Sequence, residues 1–129
     1  MVFDACAWVE YALGTAKSQT VADLLDSASE ALTPASVVAE LKESLPRHGI
    51  GSRTIFQIIR YIESRTIVVG IDAAVAERAG QINFERKKTV RDWGMLDSLV
   101  YSVALIRNAR ILTGDPHFKR LGNVVYIGP

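Results

Sequence analysis

Four carboxylates in this sequence, Asp4, Glu40, Asp97 and Asp115, have the types and positions to do chemistry together. Carboxylates gathered in one crevice repel one another and raise each other's pKa unless a cation neutralises them. Mg²⁺ and Mn²⁺ do this readily, because they prefer oxygen ligands and usually keep several waters. One or two such ions can activate water and stabilise the charge on a phosphodiester during in-line displacement. The chemistry expected of the cluster is therefore metal-assisted hydrolysis, with Asp4, Asp97 and Asp115 as metal ligands and Glu40 acting directly or through water.

Each acid also has a plainer reading. Asp97 can cap the helix it opens, and Asp115-Pro116 can be a turn that starts a helix. Glu40 can be a solvated helix residue. Asp4 is harder to dismiss, because a carboxylate directly after a buried strand lies near the core. An aspartate-based phosphatase or phospho-acceptor fits poorly, since Asp4-Ala5-Cys6 offers no second acid where such enzymes need one.

The elements that would position these residues are legible as alternation. Short β-prone segments occur at Val2-Phe3, Ala31-Leu32, Thr66 to Val69, Arg110 to Thr113 and Val124 to Ile127. Each but the last is followed by a helical pattern. Thr33-Pro34 reads as an N-cap and first-turn proline before a stripe of Val37, Val38, Leu41 and Leu45, which Pro46 and Gly49 end. Ile55, Ile58, Ile59 and Ile62 make a second stripe. Val75, Ala79 and Ile82 lead to Arg86-Lys87-Lys88, and a helix from about Asp97 to Arg107 would bury Leu99, Val100, Val103 and Ala104. This is the pattern of an α/β fold with a parallel sheet covered on both faces. Ligands of such sheets bind at the carboxyl ends of the strands. Asp4 and Asp115 both stand at such ends, and Glu40 flanks the apolar stripe of its helix.

Composition narrows the class. The 129 residues, 49% hydrophobic and 22% charged, fit one domain spanning 1–129 with a real core and argue against disorder. The lone Cys6 cannot form an internal disulfide and reads as a small buried hydrophobe. The start Met-Val-Phe-Asp lacks a secretory pattern, so a reducing cytoplasm is expected. No apolar run reaches the roughly 20 residues that cross a bilayer, so no membrane association is expected. The net charge of +1 neither supports nor excludes a nucleic-acid partner. Basic residues do cluster, at Arg47-His48, at Arg86, Lys87, Lys88 and Arg91, and at Lys119-Arg120. Bordering the acids, Arg86, Lys87, Lys88, Arg91 and Lys119, with His117, would hold an RNA backbone. As helix ends they need only be solvated. Trp93 and Tyr101 could stack a base, but packing is the simpler role.

Taken together, Val2-Phe3-Asp4-Ala5-Cys6-Ala7-Trp8-Val9-Glu10-Tyr11 and Thr33-Pro34-Ala35-Ser36-Val37-Val38-Ala39-Glu40-Leu41 resemble the opening of a PIN-domain protein of the VapC toxin type. Leu96-Asp97-Ser98-Leu99-Val100-Tyr101-Ser102-Val103-Ala104 resembles that family's third acidic motif, and Leu112-Thr113-Gly114-Asp115-Pro116-His117-Phe118 its fourth. The resemblance spans the chain. It implies a three-layer α/β/α sandwich with a parallel sheet of about five strands, and an endoribonuclease dependent on Mg²⁺ or Mn²⁺. It also implies a homodimer and a small antitoxin that covers the acidic site. Carried over by position, Asp4, Glu40, Asp97 and Asp115 are the catalytic, metal-coordinating acids, and Thr113 supports them through its hydroxyl. Two positions depart from the pattern: Cys6 replaces a common hydroxyl residue, and His117 stands where an acid is sometimes found. His117 is read as a phosphate contact or proton carrier, or as a surface residue of the turn.

Other functions compete. The same acids suit an RNA-maturation or DNA-directed PIN nuclease that has no antitoxin. Outside enzymes, the alternative is a catalytically silent PIN-like module that binds RNA or protein, but such a module has no need of a repelling cluster.

Overall fold

The computed structural model describes residues 1–129. Five strands, β1 (Val2–Phe3), β2 (Leu32–Pro34), β3 (Ile67–Val69), β4 (Ile111–Thr113) and β5 (Val124–Tyr126), form one sheet in the order β3-β2-β1-β4-β5. Every pairing is parallel. Six helices connect them: α1 (Ala5–Leu13), α2 (Ser18–Ser27), α3 (Ala35–Arg47), α4 (Ser52–Arg65), α5 (Ala73–Arg86) and α6 (Met95–Ile106). A short 3-10 turn, Pro116–Phe118, precedes β5.

Right-handed crossovers fix the layers. Chain steps from β1 to β2 and from β2 to β3 move toward one edge, placing α1–α4 on one face. The step from β3 back to β4 places α5 and α6 on the other. Contacts among α1, α2, α3 and α4, and between α5 and α6, follow this division, and α3 and α6 also meet across it. The expected α/β/α sandwich with a five-strand parallel sheet is therefore present.

Burial explains why the strands are short apolar runs. Val2, Phe3, Leu32, Ile111 and Leu112 are fully buried, and they join one connected cluster of 23 buried residues that includes Trp8, Trp93 and Phe118. Covering a Leu or Phe side chain in this way contributes roughly 1.5–3 kcal/mol. Only the edge escapes: Ile67 and Val68 of β3 are exposed.

Some local expectations need correction. The second strand reaches Pro34, and α3 has Pro34 rather than Thr33 as its N-cap. A residue before proline is driven out of the helical region. The Thr33 hydroxyl is instead used inside the fold, accepting from Trp8 Nε1 at 3.3 Å and lying 2.9 Å from Thr66 Oγ1. Helix α2, which buries only Val21 and Leu25, has no counterpart in the sequence reading. Pro46 lies inside the last turn of α3, which ends one residue later, and Gly49 then turns the chain at φ +79°. Helix α6 begins at Met95, so Asp97 sits in its first turn rather than opening it.

Candidate active site

Between β1 and β4 the direction of winding reverses, since the chain leaves β1 toward β2 and leaves β4 toward β5. Such a reversal opens a crevice at the carboxyl ends of the two strands. The ladder pairs Val2 with Ile111 and Phe3 with Leu112, and it continues as the Asp4 N–H donates to the Leu112 carbonyl at 3.1 Å. Asp4 and Thr113 are thereby brought side by side. Thr113 Oγ1 donates to Asp4 Oδ2 at 2.7 Å and accepts from the Asp115 N–H at 3.0 Å. One buried hydroxyl thus ties the first acid to the last. The other Asp4 oxygen, Oδ1, accepts from the Ala5 N–H at 2.7 Å.

Asp97 reaches the same crevice from α6. Its Oδ2 accepts the Gly94 N–H at 2.9 Å, so the carboxylate fixes the start of its own helix. Asp115 caps the 3-10 turn, with Oδ1 accepting the His117 N–H at 2.9 Å. That turn swings the imidazole back over the acids: His117 Nδ1 lies 3.0 Å from Asp115 Oδ1 and 3.9 Å from Asp97 Oδ2. Asp115 thus caps its turn as the plain reading has it, Asp97 holds the Gly94 N–H from the first turn of α6 and is not its N-cap, and both acids still converge.

The electrostatics show the crowding. Asp4 is only 6% exposed. Burial pushes its pKa up to about 6 against the hydrogen bonds from Thr113 and Ala5, and repulsion by Asp115 and Asp97 adds to the rise. Glu40, on α3, is pushed up to about 7 by burial and then by Asp4, Asp97 and Asp115. Helices α3 and α6 touch one another, which brings Glu40 toward Asp97. Burial also raises Asp97, helped by Asp115 and opposed by the Gly94 N–H and His117.

The residues fit a divalent cation. One ligand atom each from Asp97, Asp115 and His117 lie within 4.8 Å of one another. Ligands sharing one Mg²⁺-sized ion are about 3–4 Å apart. Nδ1 of His117 is buried and has no hydrogen-bond partner, although Asp115 is near. No Lys or Arg side chain forms an ion pair with any of the four carboxylates.

A family model for the PIN domain matches residues 1–124. The chain belongs to the PIN domain family. Solved structures agree on the fold. Mycobacterium tuberculosis VapC20, a sarcin-ricin loop cleaving toxin, superposes with a TM-score of 0.77 at 19% identity, covering 100% of both chains. A toxin-antitoxin complex from Klebsiella pneumoniae gives 0.75 at 16% identity, covering 96% of this chain and 94% of that one. VapBC2 from Rickettsia felis, bound to a DNA fragment from its promoter, gives 0.74 at 19%, covering 99% and 98%. At these identities the likeness is one of fold. No curated protein matches the sequence significantly.

Beside the acids of this PIN chain lies a groove of about 310 Å³ lined by Arg86, Arg91, His117, Lys119 and Arg120 among others. His117 belongs to both groove and cluster. Of the expected basic set, Lys87 and Lys88 do not line it; Lys88 is taken up by Glu85 at 3.3 Å and by the Phe84 ring. Arg86 is held over the Trp93 ring at 4.8 Å. Trp93 itself is buried, its Nε1 donating to Ser98 Oγ at 2.7 Å, so it is a packing residue and not a base platform.

Cys6 is exposed, contrary to expectation. It is the second residue of α1, at the border of the cluster. Although the residue stays open to solvent, crowding by protein around its thiol, with repulsion from Asp4, Asp115 and Glu40, pushes its pKa up to about 12. That rise disfavours the thiolate form on which a nucleophilic cysteine depends.

Thr113→Val offers a local test. It removes the donor to Asp4 and the acceptor for the Asp115 N–H while keeping the volume. The expected result is a loss of about 1–3 kcal/mol in stability and about 10–100-fold in divalent-metal affinity, read by thermal unfolding and calorimetric titration. Unchanged metal affinity would show that the Asp4–Thr113–Asp115 linkage positions nothing.

Proposed function

We propose that this chain is an endoribonuclease dependent on Mg²⁺ or Mn²⁺, acting as the toxin of a type II toxin-antitoxin pair. The observation that carries the nuclease reading is the juxtaposition of a half-buried acidic cluster with a basic groove, joined through His117. Carboxylates alone would repel a polyanion. Metal and flanking cations together make a phosphodiester the fitting substrate.

Asp4, Asp97 and Asp115 would hold the ion, with Glu40 acting directly or through water. When bound, the ion supplies activation of water and neutralisation of charge developing on the phosphate. Thr113 keeps Asp4 and Asp115 aligned. Arg86, Arg91, Lys119 and Arg120 grip the backbone beside the cut, fixing position and carrying no sequence information themselves. None of the four forms an ion pair, so their charge remains available.

Toxin fold neighbours, two of them in antitoxin-containing complexes, support the toxin role. A homodimer and a small antitoxin belong to the same proposal. Phe84, Phe56, Met95 and Leu96 are exposed, and apolar surface of this kind suits coverage by a partner. No helix is long and apolar enough to cross a membrane. A cytoplasmic location is part of the proposal.

Antitoxin-free protein given Mn²⁺ is expected to cut single-stranded RNA endonucleolytically. Intact RNA under those conditions would favour a silent binding module, and preferential cutting of DNA would favour a DNA-directed nuclease. The groove has its own test. The double substitution Arg91→Ala with Arg120→Ala is expected to weaken RNA binding and to flatten the plot of log affinity against log salt by about 0.7 per lost phosphate contact. An unaltered slope would remove the groove from the RNA path.

A further inference from the structure

We propose that His117 is a nitrogen ligand of the metal centre, and that through it this chain selects Mn²⁺ over Mg²⁺. The inference rests on the metal centre proposed above, but not on RNA being the substrate.

Three observations carry it. A His117 ring nitrogen lies with one oxygen each of Asp97 and Asp115 inside a 4.8 Å cluster of ligand atoms, and Nδ1 is 3.0 Å from Asp115 Oδ1 and 3.9 Å from Asp97 Oδ2. That nitrogen is buried, yet no hydrogen bond uses it. Asp115 Oδ1 stands 3.0 Å away, so the missing bond reflects direction and not distance. An imidazole turned in merely as a counter-charge would be expected to spend its N–H on that oxygen. The 3-10 turn holds the ring in place from behind, since the His117 N–H is itself anchored on Asp115 at 2.9 Å.

The chemistry follows from the donor set. Mg²⁺ demands oxygen ligands and gives up water reluctantly. Imidazole nitrogen favours first-row transition ions, and among N/O sites their affinities rise from Mn²⁺ upward. Replacing an oxygen donor by nitrogen at this position therefore penalises Mg²⁺ and spares Mn²⁺.

The test uses the full chain, stripped of metal by chelator and dialysis. Mn²⁺ is titrated and followed by the electron paramagnetic resonance of the free ion, with and without competing Mg²⁺. The expected result is a preference for Mn²⁺ of at least about tenfold, falling about tenfold in His117→Asp, which restores an oxygen donor. Electron spin-echo modulation of bound Mn²⁺ should show a directly coordinated ¹⁴N in the unsubstituted protein, a readout that needs no variant to fold. Binding that disappears in Asp97→Asn, with no ¹⁴N coupling and an unchanged ion preference in His117→Asp, would overturn the role of His117 while leaving the metal centre standing. Absence of Mn²⁺ binding in the unsubstituted protein would overturn both.

Discussion

Asp97→Asn is expected to lower RNA cleavage by about a thousandfold or more while leaving the fold intact, the size of loss that follows when one preorganised charge is removed from a reacting centre. The substitution is nearly isosteric, and the amide oxygen can still accept the Gly94 N–H that Asp97 now holds at 2.9 Å. What disappears is one negative charge among the atoms that gather within 4.8 Å. Metal-free Asp97→Asn should melt at the same temperature as the parent or higher, because repulsion with Asp115 and the cost of burying the ionised group are both relieved. The two readings together separate function from folding. Activity lost with a collapsed melting transition would mean that Asp97 is a capping residue first, and retained activity would remove it from the metal site.

The second large effect is a link between pH, metal and stability. In the metal-free chain, Asp4 is raised from 3.8 to about 6 and Glu40 from 4.5 to about 7. An acid with a raised folded pKa binds more protons in the folded state than in the unfolded one. Stability therefore falls as pH rises from the unfolded values through the folded ones, from about pH 4 to pH 7. For Asp4 the loss is of the order of 3 kcal/mol once it is ionised. Melting of chelator-treated protein should accordingly drop by about 5–10 °C between pH 5 and pH 8. Added Mn²⁺ should recover most of that loss at pH 8 and little at pH 5, where protons occupy the same oxygens. A flat metal-free profile, or equal stabilisation at both pH values, would contradict a cluster that waits for a cation.

Much of this was legible in the residues, for identifiable reasons. Asp4 and Asp115 each follow a short apolar segment, and in a parallel sheet that position alone points to the ligand-binding end. The central strands are buried on both faces, which is why Val2-Phe3 and Ile111-Leu112 read as unbroken apolar pairs. The resemblance in four motifs implied a parallel sheet of about five strands, whereas the order β3-β2-β1-β4-β5, which strand patterns cannot give, came only with the structure.

Other features depend on geometry that no local pattern carries. His117 reads as one residue of a turn; only the hydrogen bond from its own amide to Asp115 sends the ring toward Asp97. Its spacing of two from Asp115 was a usable signal, but it could not separate a phosphate contact from a metal ligand. Arg86, Lys87 and Lys88 are alike in sequence, and the turn at the end of α5 divides them, with Arg86 on the groove over Trp93 and Lys88 beside Glu85. Thr33 has the type of a cap, and proline after it made the strand longer instead. The small Cys6 suggested burial, whereas the first turn of α1 leaves it facing out at the site.

Cleavage by metal-stripped, antitoxin-free protein is the most direct test that these carboxylates perform metal-assisted hydrolysis. A defined RNA is incubated with chelator, then with Mn²⁺ restored, and the chemistry of the new ends is read. The predicted result is no cleavage without metal, and on restoration fragments bearing 5′-phosphate and 3′-hydroxyl ends. Undiminished cleavage in chelator, or fragments ending in a cyclic phosphate, would contradict it.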